Sequence, residues 1–353
     1  MKRIRLTTPG VIAAAVAAAA LALGAGQAGE AATTPSVGWH IFDPSVADGG
    51  SLSGIYAVSA SDAWAVSEGP SGGQVFHFTG TAWGNVSGPN IGALEAISGT
   101  SDSDLWVLGA TSSAHYNGSS WTAYPLVVPA GATDGDVEEL VYDAGTDDVY
   151  AAVSYAVTVQ GSLLYEQSLE HFNGKAWSTV TNAPNISADG SIISNLTGGG
   201  PDGVYLSATY DNTTKSELLR FNGSAWSTVK LPGTPYDPQV NVTSKSQALA
   251  LATTISGSST TGYAATLSGG KWATVSLPLS NNLPLASASG PGTAWTALLD
   301  YEANVPETLW QYSAGHWTQI KATSAEASGV LFGAADGSGV WSLNGSDADL
   351  YVG

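Results

Sequence analysis

Three histidines, His77, His115 and His171, occupy one position of a recurring segment, each followed by an aromatic residue, a turn and a Trp. Imidazole suits general acid–base work and metal ligation, but a reaction needs its catalytic group once. A residue that returns with a repeat serves the repeat, and the same position carries Arg220, Thr266 and Gln311 elsewhere. No His stands in a His-x-x-x-His spacing. The chain has no Cys, which excludes thiol nucleophiles and sulfur-ligated metals. Paired carboxylates run glycoside hydrolysis when their separation is right; acids are plentiful here, and no local motif singles out a pair.

The informative residues are those that do not recur. Tyr155, Tyr165 and Glu166 fall in the long stretch 154–166; Tyr210 stands beside Asp211, Tyr236 beside Asp237, and Asp300 beside Tyr301 and Glu302. Asp43, Asp48, Asp134 and Asp136 lie in comparable connections. Tyr beside carboxylates suits a neutral polyhydroxylated ligand: the ring stacks on a sugar face and the carboxylates accept hydroxyl protons. These ten Tyr, Asp and Glu residues from 155 to 302 are the expected ligand-binding set, with no catalytic and no metal residues. No cofactor is expected. Calcium is the one ion the acidic loops suggest, at Asp134-Gly135-Asp136 or Ser101-Asp102-Ser103-Asp104, although neither follows the Asp-x-Asp-x-Asp-Gly loop.

The elements that must position these residues are set by seven Trp residues: Trp39, Trp83, Trp121, Trp177, Trp226, Trp272 and Trp317, at intervals of 44, 38, 56, 49, 46 and 45. A period near 45 marks stacked copies of one supersecondary unit. Before the Trp comes a hairpin signature, as in His115-Tyr116-Asn117-Gly118-Ser119-Ser120-Trp121 and His171-Phe172-Asn173-Gly174-Lys175-Ala176-Trp177. Asn-Gly between alternating strands predicts a tight primed turn, with the aromatic and the Trp on paired strands. Upstream lies a second signature, Ser59-Ala60-Ser61-Asp62-Ala63-Trp64 or Ser101-Asp102-Ser103-Asp104-Leu105-Trp106, where small and Asx residues turn the chain into an aromatic strand.

Each unit therefore reads as four strands: a small-residue strand a, an aromatic strand b, a strand c, and a Trp strand d. This predicts an all-β, seven-bladed β-propeller with four-stranded blades. The last unit ends at Tyr351-Val352-Gly353 without its Trp strand, and the segment Val37 to Phe42 supplies one, so the N-terminal strand is expected to close the last blade. Trp residues can be sugar platforms, but these recur with the blade, so packing between blades is the expectation. In such a ring the short a–b and c–d turns face one side and the variable b–c and d–a loops the other, where binding is expected.

The units, of the form Ser-x-Ser-Asp-x-Trp followed by His-aromatic-Asn-Gly-x-x-Trp, resemble a secreted repeat of Streptomyces-like actinobacteria over the whole chain after its first segment. The resemblance implies a propeller with no established activity. The Gly-His…Trp-Asp pair of WD40 repeats and the Gly-Gly doublet of kelch repeats are absent, and Asp336-Gly337-Ser338-Gly339-Val340-Trp341 has the wrong spacing for a sialidase Asp-box.

Lys2, Arg3 and Arg5 followed by the apolar run Val11 to Leu23 read as a signal peptide over 1–31, cleaved after Ala28 or Ala31, leaving a single propeller domain over 36–353. The expected location is extracellular. Ten basic against 29 acidic residues give a net charge of −19, and Arg220 is the only Arg beyond the first segment. Such a surface repels nucleic acid and anionic lipid; neither partner, nor membrane insertion, is expected. With 43% hydrophobic and 11% charged residues the chain is a folded one. The reading is a monomeric binding propeller whose partner is a glycan or an extracellular protein; the alternatives are a glycoside hydrolase or lyase on the same ring, and a protein-interaction platform.

Overall fold

The computed structural model describes residues 37–353 except 129, 135–139, 144, 146–147, 161, 184–190, 200–202, 211–214, 258, 280–281, 301–304 and 323–328. The segment 1–31 expected to be a signal peptide, and Asp211, Tyr301, Glu302, Gly135 and Asp136, thus lie outside the described residues.

Seven antiparallel sheets follow one another around a ring. Blade 1 runs Ser51–Ser59, Asp62–Glu68, Gln74–Phe78 and Trp83–Val86, as strands a to d. Blade 2 runs Ala96–Ser101, Asp104–Gly109, Ser112–Tyr116 and Trp121–Pro125. In blade 3 the inner strand is in two pieces, Thr133–Asp134 and Leu140–Asp143, both paired to Asp148–Val159; Ser162–Asn173 and Trp177–Thr179 follow. Blade 4 is Ser191–Gly198, Val204–Tyr210, Ser216–Phe221 and Trp226–Val229. Blade 5 is Tyr236–Ser244, Gln247–Ser256, Ser259–Ser268 and Lys271–Thr274. Blade 6 is Asn282–Gly290, Thr293–Asp300, Val305–Ser313 and His316–Ile320. Blade 7 has Val330–Gly333, Gly339–Asn344 and Asp347–Val352, and Gly38–Phe42 is its outer strand, with Trp39 opposite Tyr351. Among the described residues the only helix is the short 3-10 turn Ala47–Gly49.

The core lies at the seams between blades. One apolar cluster joins Ile55, Phe76 and Phe78 of blade 1 to Phe332, Trp341 and Leu350 of blade 7; others bridge blades 2 and 3, and 3 and 4. Inner strands approach closely enough to share backbone bonds: the Ala335 N–H donates to the Ala57 carbonyl at 2.8 Å. A Cβ on Gly333 would sit 2.2 Å from the Ser289 carbonyl oxygen, which is why the inner strand carries Gly there.

The hairpins differ from expectation in one respect. The four-residue c–d turns put Gly80, Gly118, Gly174 and Gly223 at φ of 91°, 86°, 83° and 84°, while the residue before each, Thr79 in blade 1 and Asn in the other three, is not in the positive-φ region. A primed turn would need that first residue positive. Instead the Asn side chain caps the turn: Ser119 and Ser120 N–H groups donate to Asn117 Oδ1 at 3.0 Å, and Asn173 and Asn222 repeat the pattern.

All seven Trp residues pair across the hairpin as expected, and they fall into classes set by their partner. Where it is Phe, the indole turns onto the preceding blade's strand-b aromatic: Trp83 on Trp341 at 5.2 Å, Trp177 on Trp106 at 5.7 Å, Trp226 on Tyr150 at 5.9 Å. Where it is Tyr, the indole N–H reaches the carbonyl four residues past the preceding blade's Trp: Trp121 to Ser87, Trp317 to Ser276, Trp39 to Lys321, each at 3.0 Å. Tyr116, Tyr312 and Tyr351 are half-buried, as suits a phenol that keeps its hydroxyl near water; of the Phe partners, Phe78 and Phe172 are buried and Phe221 half so. In blade 5 Leu267 takes the aromatic position opposite Trp272.

Candidate functional site

The recurring histidines have a structural task. His77 Nε2 lies 2.9 Å from Asp62 Oδ1 and His115 Nε2 lies 2.7 Å from Asp104 Oδ1; His171 bonds Asp148 in the same way. Each imidazole also stacks on the strand-b aromatic beside it, at 4.1 Å on Trp64, 4.8 Å on Trp106 and 4.6 Å on Tyr150. In blade 4 the Arg220 guanidinium sits over Tyr205 instead, at 5.7 Å. The Asp that starts strand b thus clamps the ring of strand c onto its own strand. The Asp104 carboxyl is raised by burial, but hydrogen bonds from His115 and Thr100, with the charge of His115, outweigh that and hold it below its ordinary value. Its contribution to stability is therefore present above the ordinary carboxylate pKa and lost as pH falls through the folded one. Asp104→Asn is expected to lower stability by about 1 kcal/mol at neutral pH, after solvent screening. It should also flatten the acid limb of urea midpoint against pH; an unchanged limb refutes the clamp. The Ser101–Asp104 turn suggested for calcium is occupied otherwise, since Asp104 uses Oδ1 on His115 and Oδ2 on Thr100. Among the described residues no group of three His, Asp or Glu side chains is placed to hold a metal ion.

The other face carries the non-recurring residues, and those of the expected ligand-binding set that are among the described residues lie on strands and not in loops. The stretch 154–166 is an extension of the blade 3 hairpin, whose strands run twelve residues each and turn at Gln160, φ 51°. Alternating Val157 and Val159 explain why it pairs instead of looping. Tyr155 is directly opposite Glu166, and its hydroxyl donates to Glu166 Oε2 at 3.2 Å; Tyr165 pairs with Ala156. Burial raises the Tyr155 phenol, with Glu166 and Glu170 adding to it. Tyr210 and Asp300 are the last residues of their b strands. Glu170 is not among the residues expected at a site; it is fully buried and accepts the Val127 N–H at 3.1 and 3.0 Å with its two oxygens. Burial raises its pKa, against the Val127 and Ser168 hydrogen bonds. Only its alternation with His171 in strand c could have signalled an inward carboxylate.

Tyr236 and Asp237, expected in a loop, open the inner strand of blade 5, where the ladder slips between Tyr236 and Gln239. Asp237 holds a φ of 52°, in the left-handed region that few non-glycine residues adopt. Its carboxylate takes the Ser194 hydroxyl and its N–H donates to Ser216 Oγ at 2.9 Å. Burial raises its pKa, with Ser194 opposing. Its chain neighbours Tyr236 and Pro238 both line a cleft of about 520 Å³ between blades 4 and 5, with Glu217, Lys215 and Lys230 on the walls. Tyr210, raised by burial and by the charge of Glu217, stands near the same cleft. The structure thus gathers Tyr210, Tyr236 and Asp237 at one seam and Tyr155, Tyr165 and Glu166 on one hairpin.

No family model and no curated protein matches the sequence. Solved structures share the shape. YCF48 bound to D1 peptide is 14% identical with a TM-score of 0.59, the match covering 90% of this chain and 98% of that one. Virginiamycin B lyase from Staphylococcus aureus is 15% identical, TM-score 0.53, over 90% and 99%. The Myceliophteria thermophila Cps50 (Swd1) beta-propeller domain is 7% identical, TM-score 0.53, over 89% and 99%. The likeness is one of fold, a seven-bladed propeller, a scaffold that carries binding proteins and enzymes alike.

Proposed function

We propose that this chain is an extracellular binding propeller that recognises a glycan in the cleft between blades 4 and 5. The observation that carries the reading is how Asp237 sets the cleft wall: its largely buried carboxylate, held at a left-handed φ and turned onto Ser194 and not into the cleft, fixes the chain between its cleft-lining neighbours Tyr236 and Pro238. A carboxyl whose pKa is raised by burial destabilises the fold wherever it is ionised, so stability does not account for its presence. Strain of this kind concentrates at ligand clamps. Tyr236 supplies a ring to stack on a sugar face, and Glu217 with Lys215 and Lys230 supplies acceptors and donors for hydroxyls. The basic leader and apolar run at the start of the sequence support the extracellular location.

A protein ligand is the second reading: the long blade 3 hairpin presents Tyr155 and Glu166, and a neighbour of the same fold was solved with a peptide. Titration calorimetry against cell-envelope glycans tests the first reading. Tyr236→Ala is expected to weaken binding at least tenfold, about 1.4 kcal/mol. Asp237→Asn should weaken it while leaving the urea midpoint at pH 7 equal or higher, because it removes an ionised group that burial penalises. If both variants bind as the parent does, the cleft is not the site. Released product in the same cells would instead make the chain a hydrolase or lyase.

A further inference from the structure

The seam between blades 1 and 2 is of the more open kind, which it shares with the seams of blades 5 and 6 and of blades 6 and 7, where Trp317 and Trp39 make the same N–H bond as Trp121. At the seams of blades 7 and 1, 2 and 3, and 3 and 4, the Trp of strand d closes onto the preceding strand-b aromatic. Trp121 instead turns away from Trp64, anchored by its N–H on the Ser87 carbonyl at 3.0 Å, with its ring 5.0 Å from Tyr116. What remains is a groove of about 780 Å³ whose walls are Tyr116 and Trp121, both half-exposed, and whose floor is the stacked pair Trp64 and His77. Asp102 stands exposed on its rim, in the a–b turn of blade 2. Asp62 and Asp104 hold the two neighbouring histidines, and no Lys or Arg lines the groove. The local field is negative: the phenol of Tyr56, behind this seam, is raised by burial first and then by Asp143, Asp104, Asp62 and Asp102 together.

Aromatic faces under a carboxylate rim, in a region without a resident cation, are the chemistry that holds an organic cation. The ring quadrupoles attract an ammonium or guanidinium group, and a carboxylate at the edge completes the coordination. We infer that the groove between blades 1 and 2 is a second binding site, on the side of the short turns, for an alkylammonium or guanidinium group such as a basic peptide side chain. It is independent of the cleft between blades 4 and 5 and of the ligand assigned there. The chain's net charge of −19 draws such a ligand in from a distance.

Calorimetry at low salt, with tetralysine and agmatine as probes and fully acetylated tetralysine as the uncharged control, tests this. Tetralysine is expected to bind at one site, and the acetylated peptide not to bind. Asp102→Asn should weaken tetralysine about tenfold, whereas Asp347→Asn, an equal loss of charge at the exposed start of the strand Asp347–Val352 in blade 7, and Tyr236→Ala should leave it unchanged. Agmatine binding as well would assign the site to free amines and guanidines, and tetralysine binding alone to a peptide segment; either supports the inference. It is overturned if neither cation binds, if Asp102→Asn binds like the parent, or if Asp102→Asn and Asp347→Asn weaken binding alike, since the attraction would then be general acidity.

Discussion

Trp106→Ala is expected to destabilise the protein by about 3–5 kcal/mol, the range for emptying a buried aromatic site. The indole is 1% exposed and sits at the meeting point of two blades. His115 stacks on it at 4.8 Å, Phe172 meets it at 4.6 Å, Tyr124 at 5.6 Å and Trp177 at 5.7 Å. Four rings would face the vacated volume, and none can cross it, because each is fixed by its own pairing: Phe172 opposite Trp177, and His115 held by Asp104. Relaxation is therefore small and the cavity contribution large. Urea unfolding followed by near-UV and far-UV circular dichroism checks this. His115→Ala, which removes one partner and keeps the indole, should have a clearly smaller effect. A loss under about 1 kcal/mol for Trp106→Ala would mean that the seam repacks and that blade contacts are not the source of the ring's rigidity.

Removal of the residues up to and including Phe42 is expected to open the ring. Among the described residues Gly38–Phe42 is the only strand that covers the outer edge of Asp347–Val352. Phe42 sits 4.6 Å from Phe78 of blade 1 and 6.0 Å from Trp341 of blade 7, so the lost segment fastens both sides of one seam. Trp39 also carries the N–H bond to Lys321 of blade 6. An exposed strand edge templates pairing with another chain. The truncated protein should appear as oligomers in light scattering, with fast amide exchange over 347–352. A peptide of residues 37–42 supplied in excess should return part of the protection. A monodisperse, equally protected truncation would show that blade 7 is self-sufficient at three strands.

The blade count, the hairpin pairs and the closing strand are all legible in the residues because a repeat states its own grammar seven times. Trp39 opposite Tyr351 follows from the same pattern as Trp121 opposite Tyr116. The Asp–His clamp was legible too, though only by comparing units. Asp62, Asp104 and Asp148 precede the strand-b aromatic by two residues in the three units that own a His, whereas Gly203, Thr293 and Gly339 stand there in units that lack one. Less legible was where the non-recurring side chains would sit. Polar residues next to Gly and Asn read as loops, yet Tyr155 and Glu166 lie on paired strands and Tyr236 and Asp237 open one. Strand length depends on cross-strand partners that are distant in sequence, and a left-handed Asp237 depends on the seam around it. The open seam at Trp121 had a local cue, Tyr116 in place of Phe, but its meaning needed the facing blade.

Six blades are built from strands that follow one another along the chain, so each can assemble as soon as its own residues are present. Blade 7 cannot: Gly38 pairs with Val352. During vectorial synthesis Gly38–Phe42 emerges long before Asp347–Val352, and it must wait unpaired until those residues arrive. The pairing of Gly38 with Val352 spans almost the whole described chain, and closing so long a loop is a slow, entropically opposed event. Completion of the circle thus reports that every blade between Gly38 and Val352 has been made, a check on the number of blades that no linear stack of them would possess.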